Sequence, residues 1–64
     1  MAGRRRKALV KECMGAFGVT APVLAESIGW SLKRLKAEMQ QLDDFMTEDL
    51  IFCIKAIEYK RTLG

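Results

Sequence analysis

A chain of 64 residues, half of them hydrophobic and 30% charged, has the length of one small domain and the composition of a folded protein. Its longest apolar run, residues 50–54, is far shorter than the ~20 residues that span a bilayer, so no membrane segment is expected. The net charge of +3 is uneven: residues 1–36 carry eight basic and two acidic side chains, whereas residues 37–64 carry three basic and six acidic ones. A basic half of this kind suits a polyanionic partner.

The sequence lacks the residue combinations that catalysis and metal binding need. It contains no histidine, no glycine-rich phosphate loop and no paired nucleophile and base. Its two cysteines, Cys13 and Cys53, lie on predicted apolar helix faces without the spacing of metal ligands. We therefore expect no enzymatic activity, cofactor, metal or small-molecule substrate. An arginine cluster followed by few apolar residues is not typical of a secretory signal, so we expect reduced cysteines and a cytoplasmic protein.

The first predicted helix covers residues 6–17, because its apolar residues recur at helical spacing and Gly18 can close it. A basic arm, residues 1–7, is predicted to precede a domain of residues 8–64. Two interpretations of this arm remain open: it binds DNA phosphates or a narrow minor groove, or it is a solubilising terminus. The arm carries four basic residues: Arg4, Arg5, Arg6 and Lys7.

Two short helices are predicted in the middle of the chain. The first covers residues 21–28, with Thr20 as its N-cap and Gly29 at its end. The second covers residues 32–41 and is capped by Ser31, which leaves almost no connection between the two helices. This pattern predicts a helix-turn-helix.

The apolar and small residues of this segment resemble those of phage repressors and Cro-type regulators, the lambda-repressor-like family. The similarity consists of Leu24-Ala25, Ile28-Gly29, Trp30-Ser31 and Leu35, and it extends over residues 8–58, including the segment Phe45 to Leu50 followed by Ile54. Glu38 and Ala21 depart from the family pattern, which usually has an apolar residue and often a glutamine there. The resemblance implies an all-α, compact four-helix domain that binds operator DNA as a transcriptional regulator of phage or mobile-element type.

In such a domain the third helix would enter the major groove as the recognition helix. Lys33 and Gln40 would meet base edges, and Lys36 and Arg34 would meet phosphates. The alternative is an ordinary solvated helix face, and Trp30 is interpreted as a core residue in either case. The candidate DNA-binding residues of this helix are Ser31, Leu32, Lys33, Arg34, Lys36, Ala37 and Gln40.

The last predicted helix covers residues 48–61, after a loop at residues 43–46 and an N-cap at Thr47. Beside its core stripe it carries a second apolar stripe, which a 64-residue core has little room to bury. This stripe either pairs with its copy in a two-fold homodimer or is covered by the first helix. An alternative function follows from it: a protein-interaction module, inhibitor or antitoxin-like, that docks a partner through this helix. The stripe consists of Phe52, Cys53, Ala56, Tyr59 and Leu63.

Overall fold

The computed structural model describes the backbone of residues 2–64 and the side chains of residues 5–64. This part of the chain forms four α-helices and contains no strand. They are α1 (Ala2–Phe17), α2 (Ala21–Ile28), α3 (Leu32–Met39) and α4 (Asp44–Leu63). The predicted all-helical fold, with two short helices between two longer ones, is confirmed.

One apolar core receives residues from all four helices. α4 packs against both α1 and α2, and α2 packs against α3. Burying a side chain of this size stabilises a fold by roughly 1.5–3 kcal/mol relative to leaving it exposed. The largest fully buried side chains are Val10 of α1, Leu24 of α2, Leu35 of α3, and Leu50 and Ile54 of α4.

α1 and α2 end in the same way, each at a glycine in the left-handed conformation. Gly18 has a φ of 65° and Gly29 a φ of 88°. The residue after each glycine then donates its amide to a carbonyl in the last helical turn: Val19 to Met14 O (2.9 Å) and Trp30 to Ala25 O (2.9 Å). These are Schellman motifs, which reverse the chain and return an apolar residue to the core. Both helix ends therefore follow from local sequence.

α4 begins at Asp44, so the predicted loop at residues 43–46 and the predicted cap at Thr47 are wrong. Asp43 is the N-cap: its carboxylate accepts the amide of Met46 at 2.7 Å. A charged acceptor at a helix N-terminus also interacts favourably with the helix dipole. Thr47 is buried within the first turns, where its hydroxyl donates to Asp43 O at 2.7 Å.

α1 begins at Ala2, four residues before its predicted start, so residues 2–7 are helical rather than an arm. Arg6, in this N-terminal part of the helix, contacts another element. Its Nε lies 2.9 Å from Asp44 Oδ1, and its Nη1 donates to Leu42 O at 3.2 Å. The N-terminal turns of α1 are thereby held against the N-terminus of α4.

A second arginine connects the other ends of these two helices. Arg61, in the last turn of α4, donates from Nη1 to Phe17 O (3.4 Å) and Gly18 O (3.1 Å) at the end of α1. Carbonyls at a helix C-terminus lack partners within the helix and carry partial negative charge. The two helices therefore have an arginine contact at each end.

The chain bends by 100° between α1 and α2. Among the described residues, no single helix combines the length and the apolar character needed to cross a membrane. Only the bent pair of Arg5–Phe17 and Ala21–Ile28 meets these two criteria together.

Candidate nucleic-acid interface

The connection between α2 and α3 is capped on both sides. Thr20 Oγ1 accepts the amide of Val23 (3.4 Å) at the start of α2, and Ser31 Oγ accepts the amide of Arg34 (3.1 Å) at the start of α3. Between the helices, Gly29 closes α2 with its amide directed to Ala25 O and Glu26 O. Both predicted caps are confirmed, but α3 ends at Met39 with Gln40 as its C-cap, so its predicted end at residue 41 is wrong. The caps fix where α3 begins and therefore which of its residues face outwards.

α3 is held by one face and exposes the other. Leu35 (2% exposed) and Met39 (7%) are buried, and Ala25 of α2 is buried at 2%, as expected where two helices pack closely. Met39 rather than Glu38 packs against the core, and Leu32, on the same side of the helix, remains 37% exposed. The outward face consists of residues predicted to bind DNA: Lys33, Lys36, Ala37 and Gln40.

Arg34 and Trp30 form a contact on one side of α3. The guanidinium carbon lies 4.7 Å from the centroid of the indole ring, which is a cation–π arrangement. Trp30 itself is half-buried and packs against the core, so its interpretation as a core residue is confirmed. The ring thus limits where the exposed Arg34 side chain can reach.

Lysines of α1 lie beside α3, an arrangement that the sequence did not predict. A groove of about 280 Å³ runs between α1, the start of α2 and α3. We call it the basic groove. It is lined by Lys7 and Lys11 of α1, by Lys36 of α3 and by Gln40, the C-cap residue of α3. The apolar residues that line it are Met14, Ala21, Leu35 and Met39.

Lys11 is the residue missed by sequence reasoning. Lys7 and Lys11 are four residues apart, so they share a face when both belong to one helix. The predicted helix, residues 6–17, includes both lysines, but Lys7 also falls within the predicted basic arm, residues 1–7, and the sequence does not single out Lys11 as a binding residue. Their closeness to Lys36 depends on how α1 packs in the tertiary structure, which no local pattern reports.

The other predicted arm residues do not all join this surface. Arg6 is directed towards α4, as described above, while Arg5 is exposed and makes no contact with the basic groove. The side chain of Arg4 lies outside the described residues. Within the part of the chain that the structure describes, Arg6–Asp44 is the one ion pair, so Lys7, Lys11 and Lys36 have no carboxylate partner there.

The second apolar stripe of α4 faces solvent. Phe52 is 74% exposed, Tyr59 66% and Leu63 70%, while Ala56 and Cys53 are half-buried. The alternative that α1 covers both stripes is therefore wrong. α1 packs on the side of Leu50 and Ile54, and no helix among the described residues remains for the other side. Phe45, in the first turn of α4, is also exposed (81%).

Cys13 and Cys53 are half-buried and are not bonded to each other. Burial, and secondly the negative charge of Asp49, raise the pKa of the Cys53 thiol above its ordinary value. At neutral pH this thiol is therefore protonated and a weak nucleophile. Among residues 5–64, no group of three or more histidine, cysteine, aspartate or glutamate side chains is placed to hold a metal ion.

Comparisons with models of protein families, with curated proteins and with solved structures found no match to this chain.

Proposed function

We propose that this protein binds double-stranded DNA with α3 in the major groove and acts as a sequence-specific transcriptional regulator of the repressor or Cro type. The observation that carries the proposal is the outward face of α3, which is polar, exposed and continuous with the lysines of the basic groove. A helix capped at its N-terminus and held only from behind can enter a groove without rearrangement. The resemblance of residues 24–35 to lambda-repressor-like regulators supports the same function.

The residues divide into two roles under this proposal. Lys33, in the first turn of α3, and Gln40, its C-cap residue, are both exposed and meet base edges. Phosphates are contacted by three lysines of the basic groove: Lys7, Lys11 and Lys36. Phosphate contacts set the orientation of the protein on DNA rather than its sequence preference. Arg34 remains over Trp30 and contributes a phosphate contact at the opposite side.

A homodimer through α4 completes the proposal. Phe52, Ala56, Tyr59 and Leu63 follow one another at intervals of four, three and four residues, which is the spacing of a coiled-coil seam. A shallow depression of about 390 Å³ lies between Phe52 and Tyr59, with Ala56 in its lining. A second copy can place an aromatic side chain there. Two-fold symmetry then presents two α3 helices to successive major grooves, roughly 34–36 Å apart.

The test is fluorescence anisotropy with a random 30-base-pair duplex at several salt concentrations. We expect a dissociation constant of about 1–100 μM that weakens steeply with salt, because bound lysines release counterions. Lys33→Ala/Lys36→Ala should weaken binding and flatten the salt slope by about one for each phosphate that is no longer neutralised. The control, Lys55→Ala/Lys60→Ala, removes the same charge from α4. Because both lysines line the depression between Phe52 and Tyr59, sedimentation must show that this variant keeps the oligomeric state of the wild type, and its DNA binding should then change little.

Two results would contradict DNA binding through α3. One is the absence of binding at low salt. The other is an equal weakening in both double variants, which would mean that DNA affinity depends on the net charge of the protein and not on where the lysines lie.

A second function is favoured by the exposure of Phe52 and Tyr59. In it, the same scaffold docks a different protein through α4, as an inhibitor or antitoxin-like subunit would. A DNA-binding protein is sensitive at Lys36, whereas a partner-docking module is sensitive at Phe52 or Tyr59 and insensitive at Lys33. Parallel assays of these variants separate the two functions.

A further inference from the structure

The basic groove differs from a surface that serves phosphates alone. A phosphodiester needs cationic or amide donors and no apolar lining. Here the lining includes two buried apolar side chains, Leu35 and Met39, and the half-buried Met14 and Ala21. The polar residues that line it are three lysines and Gln40.

We propose that the basic groove binds a small amphipathic anion: one carboxylate on an apolar body of about eight carbons. Its volume of about 280 Å³ lies just below the ~300 Å³ at which pockets for drug-sized ligands begin, so a compact ligand fits. The carboxylate lies among Lys7, Lys11 and Lys36. The apolar body replaces water over Met14, Met39 and Ala21.

Charge and side-chain chemistry both favour this ligand. Three cationic side chains line one concavity, so an anion placed there is attracted by each of them. No carboxylate lines the groove to offset their charge, and the ion pair found among the described residues lies elsewhere, at Arg6. Methionine side chains are flexible and polarizable, so Met14 and Met39 can adapt to an apolar group.

Such a ligand would compete with DNA, a consequence that depends on the proposed function, whereas ligand binding itself does not. Lys36 and Gln40 belong to both surfaces. A carboxylate held by Lys36 neutralises a phosphate contact, and an apolar chain beside Gln40 occupies space next to the major-groove face. The groove is then a site at which a small acid releases the protein from DNA.

The binding test uses octanoate as the probe and the methionine methyl groups as reporters. The chain has four methionines. In ¹H–¹³C spectra we expect octanoate to shift the Met14 and Met39 methyl signals and to leave Met46, on α4, unchanged. A dissociation constant on the order of a millimolar is expected for so small a ligand. Octan-1-ol, which has the same chain and no charge, should bind at least several-fold more weakly.

Variants separate the charge from the apolar lining. Lys36→Gln should weaken octanoate about two- to fivefold, as expected for an exposed ion pair, and Lys7→Gln/Lys11→Gln should weaken it further. Lys33→Gln is the matched control on the same helix and should have no effect. Ala21→Leu fills the groove without removing a charge, so it should abolish octanoate shifts and retain DNA binding.

Equal binding of octanol and octanoate, shifts that include Met46 to the same extent, or no shift at roughly ten times the expected millimolar dissociation constant would overturn the proposal. The DNA titration is repeated with octanoate at constant ionic strength, and its result is interpreted independently of the methyl shifts. Octanoate binding without DNA binding rejects the proposed function and retains the groove. DNA binding that octanoate leaves unchanged, together with absent methyl shifts, rejects the groove and retains the function.

Discussion

At the residue scale, each helix end is set by groups within five positions along the chain. Thr20 and Ser31 accept amides of the first turns of α2 and α3, and Gly18 and Gly29 close α1 and α2. The start of α4 was predicted wrongly for an equally local reason. Asp43 and Thr47 both have cap side chains, and the carboxylate prevails because its charge adds to the hydrogen bond. Choosing between two competing caps requires the structure.

Gly15 offers a stabilising substitution at the residue scale. It lies inside α1 with ordinary helical backbone, and a Cβ added there would meet nothing within 4 Å. Alanine loses less backbone freedom than glycine on folding. Gly15→Ala should raise the free energy of unfolding by about 0.5–1 kcal/mol, measured by urea titration.

The control for this prediction is the same substitution at Gly29. A Cβ there also meets nothing within 4 Å, but the backbone has a φ of 88°. Gly29→Ala should therefore lower the free energy of unfolding by about 1–2 kcal/mol through strain alone. Opposite signs at the two positions support this account, and a lower stability of the Gly15 variant would contradict it.

At the scale of helices, the boundaries and the pairing of α1 with α4 were the least predictable features. The sequence shows an amphipathic stretch from Leu9 to Phe17, but nothing local extends the helix back to Ala2. That extension coincides with the contact of Arg6 with Asp44, 38 positions away. Lys11 likewise belongs to the candidate site only because α1 lies beside α3 in the tertiary structure. Contacts across such separations are set by tertiary structure, so periodicity alone misses them.

The contact of Arg61 with the end of α1 can be measured against its neighbour. Arg61→Gln removes the hydrogen bonds to Phe17 O and Gly18 O and should lower the free energy of unfolding by about 0.3–1 kcal/mol at low salt. Lys60→Gln is the control, because Lys60 lies in the same last turn of α4 without that contact. The Arg61 variant should therefore be the less stable of the two in urea titrations. Equal destabilisation would mean that both residues act only on the dipole of α4.

At the scale of the whole molecule, the basic groove and the second apolar stripe are formed by different helices. The lysines that line the basic groove lie on α1 and α3, and the exposed aromatic residues lie on α4. The sequence predicted this stripe from periodicity. It left open whether α1 covered the stripe, because helical spacing does not say which of two apolar faces a neighbour takes. The structure leaves it exposed, so the proposed DNA-binding face and the proposed dimer face lie on different elements.

The dimer can be separated from DNA binding by substitution on α4. We expect the protein to sediment at high micromolar concentration with twice its chain mass of 7.2 kDa. Phe52→Ser/Tyr59→Ser should shift it to the monomer, since two central aromatic residues contribute at least ~2 kcal/mol, or about 30-fold in dissociation constant. Leu9→Ser, an exposed apolar residue (50%) on α1, is the control and should remain dimeric.

DNA binding by the same variants shows whether dimerisation serves the interface. The Phe52→Ser/Tyr59→Ser monomer keeps every residue of α3 and of the basic groove, so it should still bind a random duplex. Its salt slope should be about half that of the dimer, because one α3 rather than two releases counterions. A wild-type monomer at high micromolar concentration, or an unchanged slope in the variant, would reject the dimer while leaving DNA binding by α3 intact.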